Sequence, residues 1–506
     1  MLNPRRASLP AVGLFLWILS VTPAGQSDPL AGFDEYVSKG VEAWRLPGLS
    51  VAVVKDGKVV HANGYGVREV GKAERVDEHT LFAIGSTTKA MTAALIGMLV
   101  DERKLEWDDP VTRHLPGFQL KDPFVTRELT VRDLLTHRGG LGNADYLWYG
   151  QENSTEEILD RVRLVDPAYS LRSRFIYQNV MYAAAGQVIA NVSGRPWTDV
   201  IRSRIFEPLG MRGTYPTLAS IPAGANVAAP HDTVRDQVTV IRNASVDGVA
   251  AAGSVWSSAA DMAKWMQFLL DGGRAGGADG KRLLSERTFT ELFRPQTIAP
   301  EGMYPTTRLV RPHWMTYALG WFQQDYRGRA VDFHTGSIDG MIAILGLIRD
   351  ERLGVVVLGN LDHAELRHAL MYTVFDRYAG KPDRDWSAEL LQLYGEQAKR
   401  ATEVRARIEA QRVTGTSPSL PLERYVGTYK DPVRGEVVVT LDEGVLQLRY
   451  GTGFVGRLEH WHFNTFRASW SAEWREPTLV NFLLGAATGR PDVLELMGGR
   501  FVRAEC

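Results

Sequence analysis

One stretch constrains this chain more than any other: Phe82-Ala83-Ile84-Gly85-Ser86-Thr87-Thr88-Lys89, followed by an apolar run that ends at Val100. The run has the length of a helix and is made of good helix formers. It is apolar nearly all round, so the predicted helix is buried. On a helix, Ser86 and Lys89 share one face, three residues apart. In its first turn they meet backbone N–H groups that point outward without partners. The positive end of the helix dipole disfavours a protonated lysine there. A serine hydroxyl is a weak nucleophile until a base takes its proton. A partly desolvated lysine with a lowered pKa can be that base. The tetrapeptide alone is weak evidence, because Ser86 would also serve as the N-cap of a buried helix.

With 506 residues the chain is too long for one compact core, so two or three domains are expected. It is 44% hydrophobic and 23% charged, the balance of an ordinary globular protein. The net charge is −1 and there is no basic stripe, so nothing electrostatic supports a nucleic-acid partner. Residues 1–24 read as a secretory signal peptide: Arg5 and Arg6, an apolar Leu9 to Val21, then Thr22-Pro23-Ala24. An uncleaved anchor is the alternative. No later segment has roughly 18 uninterrupted apolar residues, so no integral membrane segment is expected after cleavage. The expected location is periplasmic or extracellular. Cysteine occurs once, at Cys506, which excludes an intrachain disulfide; a frayed terminus cannot hold a nucleophile.

Leu49 to Val54, Asp56-Gly57 and Val59 to Ala62 predict a β-hairpin. Leu30 to Trp44 before it is helical in spacing. From about 115 to 247 the signals are helices and loops, read as a helical insertion. Within it, a capped helix is expected from Thr130 to Gly139-Gly140, and an apolar helix from Val180 to Val192, with Asn179 as its cap. Ser258 to Leu270 is helical. Ala330 to Phe333, Met341 to Arg349 and Gly354 to Leu358 predict three antiparallel strands that complete the sheet begun at Leu49. Leu366 to Ala379 predicts the last helix of a domain spanning 28–380. A helical linker covers 385–420. Residues 421–506 switch to a period of two, with six short alternating runs that predict a small antiparallel β-barrel or sandwich.

Three short signatures fall in one order: Ser86-x-x-Lys89, Tyr177-x-Asn179 and His334-Thr335-Gly336. Each alone is weak; together they are specific. The chain resembles the serine β-lactamase and penicillin-binding-protein superfamily, whose set is Ser-x-x-Lys, Ser-Asp-Asn and Lys-Thr-Gly. Its Tyr-x-Asn variant is similar to the class C β-lactamase branch with its related esterases and D-aminopeptidases. The resemblance covers about Leu30 to Ala379, and the tail resembles lipocalin-like domains attached to some members. It implies an α/β, β-lactamase/transpeptidase-like fold: an antiparallel sheet flanked by helices, with a helical subdomain, followed by the small barrel. It implies Ser86 as nucleophile, with Lys89 and Tyr177 sharing the acid/base work in an order left open. A Tyr177 phenol near Lys89 is expected to have a lowered pKa. Asn179 would bind Lys89 or the substrate amide, and His334, Thr335 and Gly336 would line the substrate site. The N–H groups of Ser86 and Ser337 would form the oxyanion hole.

The chain departs from the pattern at His334, where the superfamily usually carries lysine. A histidine is mostly neutral at pH 7, so it offers a substrate carboxylate no permanent cation. That shifts the expectation toward ester or amide hydrolysis, D-amino-acid peptides included. A β-lactamase or DD-peptidase, and a non-catalytic acyl-binding sensor, remain as alternatives. No cofactor and no metal are expected: His460-x-His462 lacks a partner cluster. The expected partner is a small-molecule or peptide substrate, and any homo-oligomer would form through the barrel. Trp461, Phe463, Trp470 and Trp474 are read as packing the barrel core or its contact with the first domain.

Overall fold

The computed structural model describes residues 28–504 except 278, so residues 1–24, read above as a signal peptide, and Cys506 lie outside the described residues. The hairpin forms as its turn chemistry demands: β1 (Gly48–Lys55) and β2 (Lys58–Gly66) flank Asp56-Gly57, both left-handed at φ 53° and 77°. The sheet they begin has eight antiparallel strands. Its order is β2-β1-β8-β7-β6-β5-β4-β3, where β3 is Thr297–Ile298, β4 Met315–Tyr317, β5 Phe322–Tyr326, β6 Arg329–Ile338, β7 Met341–Ile348 and β8 Leu353–Gly359. The sequence shows β6 to β8, and β1 pairs with β8 as expected. It does not show β3 to β5, which are two to five residues long and too short to display a period.

Successive β1 side chains alternate between two cores, as a pleated strand buried on both faces must. Val51 and Val53 join Phe33, Leu370 and Trp386 on one side. This layer belongs to α1 (Phe33–Ala43), with its partner helix Leu366–Tyr378 and the start of the long helix Trp386–Ala410. Ala52 and Val54 face the other side, with Met91, Leu95 and Met266. There α2 (Thr88–Asp101) is buried from Thr88 to Leu99 and packs on α3 (Asn179–Ser193).

Three local expectations need correction. Ser86 lies on a separate 3-10 turn, Gly85–Thr87, just before α2. The capping box at Thr130 and Asp133 is present, yet its helix is only Val131–Leu134, because the chain then turns left-handed at His137. Asn179 is the first residue of α3 rather than its cap: Gln178 holds the cap position, with no side-chain capping bond. The Asn179 amide is engaged elsewhere.

The C-terminal unit is a closed barrel of eight antiparallel strands in sequential order, from Gly427–Asp431 to Gly499–Arg503, which pairs back on the first. The sequence shows six of them. Thr465–Trp470 follows a register shift at His460/His462 that interrupts the alternation, and Gly499–Arg503 is short and carries two arginines. Tyr425, Tyr429, Phe466, Phe482 and Phe501 pack the interior. Trp461 and Trp470 are buried, Phe463 is exposed, and Trp474 faces the first domain.

The barrel docks on the loop after Leu147. Gly150, at φ 69°, brings its carbonyl within 3.1 and 2.9 Å of Thr452 N and Gly453 N, which donate to it. Arg475 lies between the rings of Tyr149 and Phe454, 4.8 and 4.2 Å from their centroids. Its guanidinium pairs with Asp339 at 3.3 Å, in the β6–β7 turn.

Candidate active site

The close approach of two backbones builds the site. A Cβ on Gly336 would lie 2.0 Å from Ile84 O, and a Cβ on Gly85 would lie 2.7 Å from Ser337 N. Only glycine at both positions lets β6 lie against the turn that carries Ser86. The contact sets the two backbones side by side, with Ser86 N 3.1 Å from where a Gly336 Cβ would stand. Arg367 fixes this end of β6 from behind. Its Nη1 donates to Gly336 O at 2.5 Å and Ser337 Oγ at 2.9 Å, while Glu365 neutralises it in a buried pair.

Lys89 is fully buried. Its Nζ lies 3.0 Å from Ser86 Oγ, 2.7 Å from Asn179 Oδ1 and 2.9 Å from Ala252 O. Burial lowers its pKa from 10.5 to about 7, while the Asp145 carboxylate pulls it back up. Asn179 Nδ2 donates to Asp145 Oδ1 at 3.0 Å, and Trp148 Nε1 donates to that same oxygen at 2.8 Å. Thus Asn179 spans Lys89 and Asp145.

Tyr177 joins the group from the other side. Lys89 Nζ lies over its ring, 4.8 Å from the centroid. The expected lowering of its pKa does not occur. Burial raises the phenol well above 10.0, against a hydrogen bond with Ser86 that pulls it down. The amine faces the ring rather than the oxygen, so the attraction that would favour a phenolate is weak.

His334 comes close as well, its ring 6.2 Å from that of Tyr177. Its Nδ1 donates to Thr335 O at 2.6 Å, so Nε2 accepts from the Tyr317 hydroxyl at 3.0 Å. Burial first, then the charge of Lys89, lower its pKa to about 3. The ring is neutral and only 1% exposed. As placed, it shapes the wall, with both ring nitrogens engaged within the protein. Thr335 Oγ1 is likewise held, 2.9 Å from the Tyr304 hydroxyl. Ser337 is exposed.

Sequence reading missed five contributors. Asp145, Tyr317, Arg367 and the carbonyl of Ala252 act through partners that only tertiary packing selects. His137 is the fifth. Its carbonyl accepts from Ile176 N at 2.8 Å and its Nδ1 from Gln178 N at 3.0 Å, so it grips the chain on both sides of Tyr177. Its ring packs 4.4 Å from the Tyr177 ring. Among the described residues, no group of three or more His, Cys, Asp or Glu side chains could hold a metal ion.

A Ser-x-x-Lys pair at a buried helix, joined to a Tyr-x-Asn helix start and the C-terminal end of a strand of the antiparallel sheet, defines a serine hydrolase. The chain belongs to the Beta-lactamase family, whose model matches residues 33–376. A second model, a domain of unknown function (DUF3471), matches residues 411–498. Among curated relatives, the unguisins hydrolase ungD of Aspergillus violaceofuscus is 28% identical, covering 88% of this chain and 84% of its own. The unguisins hydrolase ungD' of Aspergillus campestris is 30% identical, covering 82% and 79%. The octameric penicillin-binding protein homologue from Pyrococcus abyssi shares the fold with a TM-score of 0.62, at 22% identity, over 94% of this chain and all of that one.

Proposed function

We propose that this protein is an exported hydrolase that cleaves ester or amide bonds, including those of D-amino-acid peptides, through an acyl-enzyme on Ser86. One observation carries the reading: a buried amine with a pKa near 7 lies 3.0 Å from a serine hydroxyl. A neutral Nζ has two N–H donors. Asn179 Oδ1 and Ala252 O take both, which leaves the lone pair for the Ser86 proton. Lys89 is therefore the base of the acylation step. Ser86 Oγ bonds the substrate carbonyl carbon, its proton passes to Nζ, and the oxyanion is held by Ser86 N and Ser337 N. Tyr177, protonated throughout the neutral range, is the acid that hands a proton to the departing amine or alkoxide; Lys89 returns one to it. Water then repeats the sequence on the acyl-enzyme and releases the acid.

The neutral, enclosed His334 favours substrates without a carboxylate at the third signature. The names of the fungal relatives support hydrolysis, and the N-terminal reading supports export; among the described residues, no helix is long and apolar enough to cross a membrane. Ser86→Ala should lower hydrolysis of a nitrophenyl ester by at least about 10³-fold. Wild-type turnover in that variant would overturn the reading.

A further inference from the structure

Glu365 and Arg367 form a buried ion pair with no part in the proton transfers of Ser86, Lys89 and Tyr177. They stand at the start of the helix Leu366–Tyr378, in the layer opposite α2, and are 6% and 4% exposed. A carboxylate at this cap position could satisfy the free N–H groups of its own helix, but Glu365 makes no such bond. Its Oε1 accepts from Arg367 Nη2 at 2.7 Å, and its Oε2 from Arg367 Nε at 3.0 Å and from His368 Nδ1 at 2.7 Å. Burial opposes this charge, yet the guanidinium and His368 hold the Glu365 carboxyl well below the usual carboxylate range. The cost of taking two charges out of water largely cancels their attraction, so a buried pair is a weak source of stability. The fork leaves Nη1 to reach the sheet.

Nη1 donates to Gly336 O at 2.5 Å, Ser337 Oγ at 2.9 Å and Ala343 O at 3.2 Å. Gly336 and Ala343 are cross-strand partners in β6 and β7, so one nitrogen shared by both carbonyls places Gly336 O on the β7 side. A trans peptide points its C=O and N–H in opposite directions. The N–H of this unit belongs to Ser337, so it faces away from β7. On that side lies the turn that carries Ser86: a Cβ on Gly85 would stand 2.7 Å from Ser337 N. One peptide unit thus has a cation on its oxygen and its hydrogen toward the nucleophile. A cation on the oxygen draws electrons through the amide resonance from the nitrogen, and that makes the N–H a stronger donor.

We infer that the Glu365–Arg367 pair sets the strength of the oxyanion hole: Arg367 is a positioning residue that acts on the transition state through the Gly336–Ser337 peptide, without touching substrate. This rests on the reading of Ser86 N and Ser337 N as that hole, and deepens it. The test uses the full chain with a nitrophenyl ester and its thiono analogue, in which sulfur replaces the carbonyl oxygen and accepts hydrogen bonds poorly. The ratio of ester to thionoester kcat/KM reports how strongly the hole binds an oxyanion. Glu365→Gln with Arg367→Met removes the cation and keeps the site neutral; the ratio should fall about 10-fold, through kcat rather than KM. Arg367→Lys keeps a cation but loses the planar fork, and its ratio should fall about threefold. Loss of a merely structural contact would lower both substrates equally. A ratio that stays at the wild-type value would therefore overturn the inference; should the double variant fail to fold by circular dichroism, Arg367→Lys decides alone. Ser86→Ala, assayed on the ester alongside, separates the two claims: full turnover there defeats the nucleophile assignment, whereas an inactive Ser86→Ala with an unmoved ratio in the Arg367 variants defeats only the role of the ion pair.

Discussion

The charge state of Lys89 is set by its surroundings. Burial lowers its pKa to about 7, and Asp145 resists that lowering. The amine works as a base only when neutral, so kcat/KM should rise with pH through about 7 and then level, because the Tyr177 phenol stays protonated well past neutrality. Asp145→Asn removes the carboxylate that favours the ammonium. Its acid limb should therefore move to lower pH, read from a kcat/KM profile on a nitrophenyl ester; a shift to higher pH would contradict the assignment. His137 gives a second prediction at this scale. It grips Ile176 and Gln178 and packs on Tyr177, so it acts as a positioning residue. His137→Leu keeps bulk but loses the acceptor, and should cut kcat about 10- to 100-fold with KM changed less than about threefold. His137→Asn, which keeps an acceptor and accepts the left-handed backbone at φ 56°, should recover most of it. Equal kcat losses in both variants would point to simple destabilisation.

At the scale of elements, the site depends on β6 touching the turn before α2. Gly336→Ala would force its Cβ into Ile84 O, so the strand must retreat and carry Ser337 N with it. Turnover should fall at least about 10²-fold while the acid limb stays near pH 7, because Lys89 lies outside the displaced contact. The distribution of what the sequence shows follows the same geometry. Ser86, Lys89, Tyr177, Asn179 and His334 are legible because each stands in a short signature next to a strongly periodic element. The hairpin at Asp56-Gly57 and the buried α2 are legible for a similar reason: turn chemistry and apolar runs are local. Asp145 and Ala252 are not, because one acts through Asn179 and the other through a backbone carbonyl 163 residues from Lys89. Strands β3 to β5 are too short to carry a pattern, and the enclosure of His334 by Tyr317 arises from a strand pairing that no local spacing announces.

For the whole molecule, the question is how two domains share one surface. The docking contact is a backbone fit: Gly150 is left-handed, and a Cβ there would stand 2.6 Å from Phe454 Cε2. Gly150→Val should therefore press on Phe454, at the end of the barrel core that meets the first domain, and loosen the barrel from that domain. Differential scanning calorimetry should show two separated transitions in the variant, against closer coupling in the wild type; an unchanged profile would mean that the contact carries no coupling. Arg475 links the same surface to Asp339 and so to the end of β6.

The assignment of Ser86 as the attacking atom is tested most directly by intact-mass spectrometry after mixing the full chain with a slowly deacylating aryl ester. The expected result is one added acyl group, mapped by digestion to the peptide containing Ser86 and absent from Ser86→Ala. An acyl group on another residue, or turnover by Ser86→Ala at the wild-type rate, would contradict it.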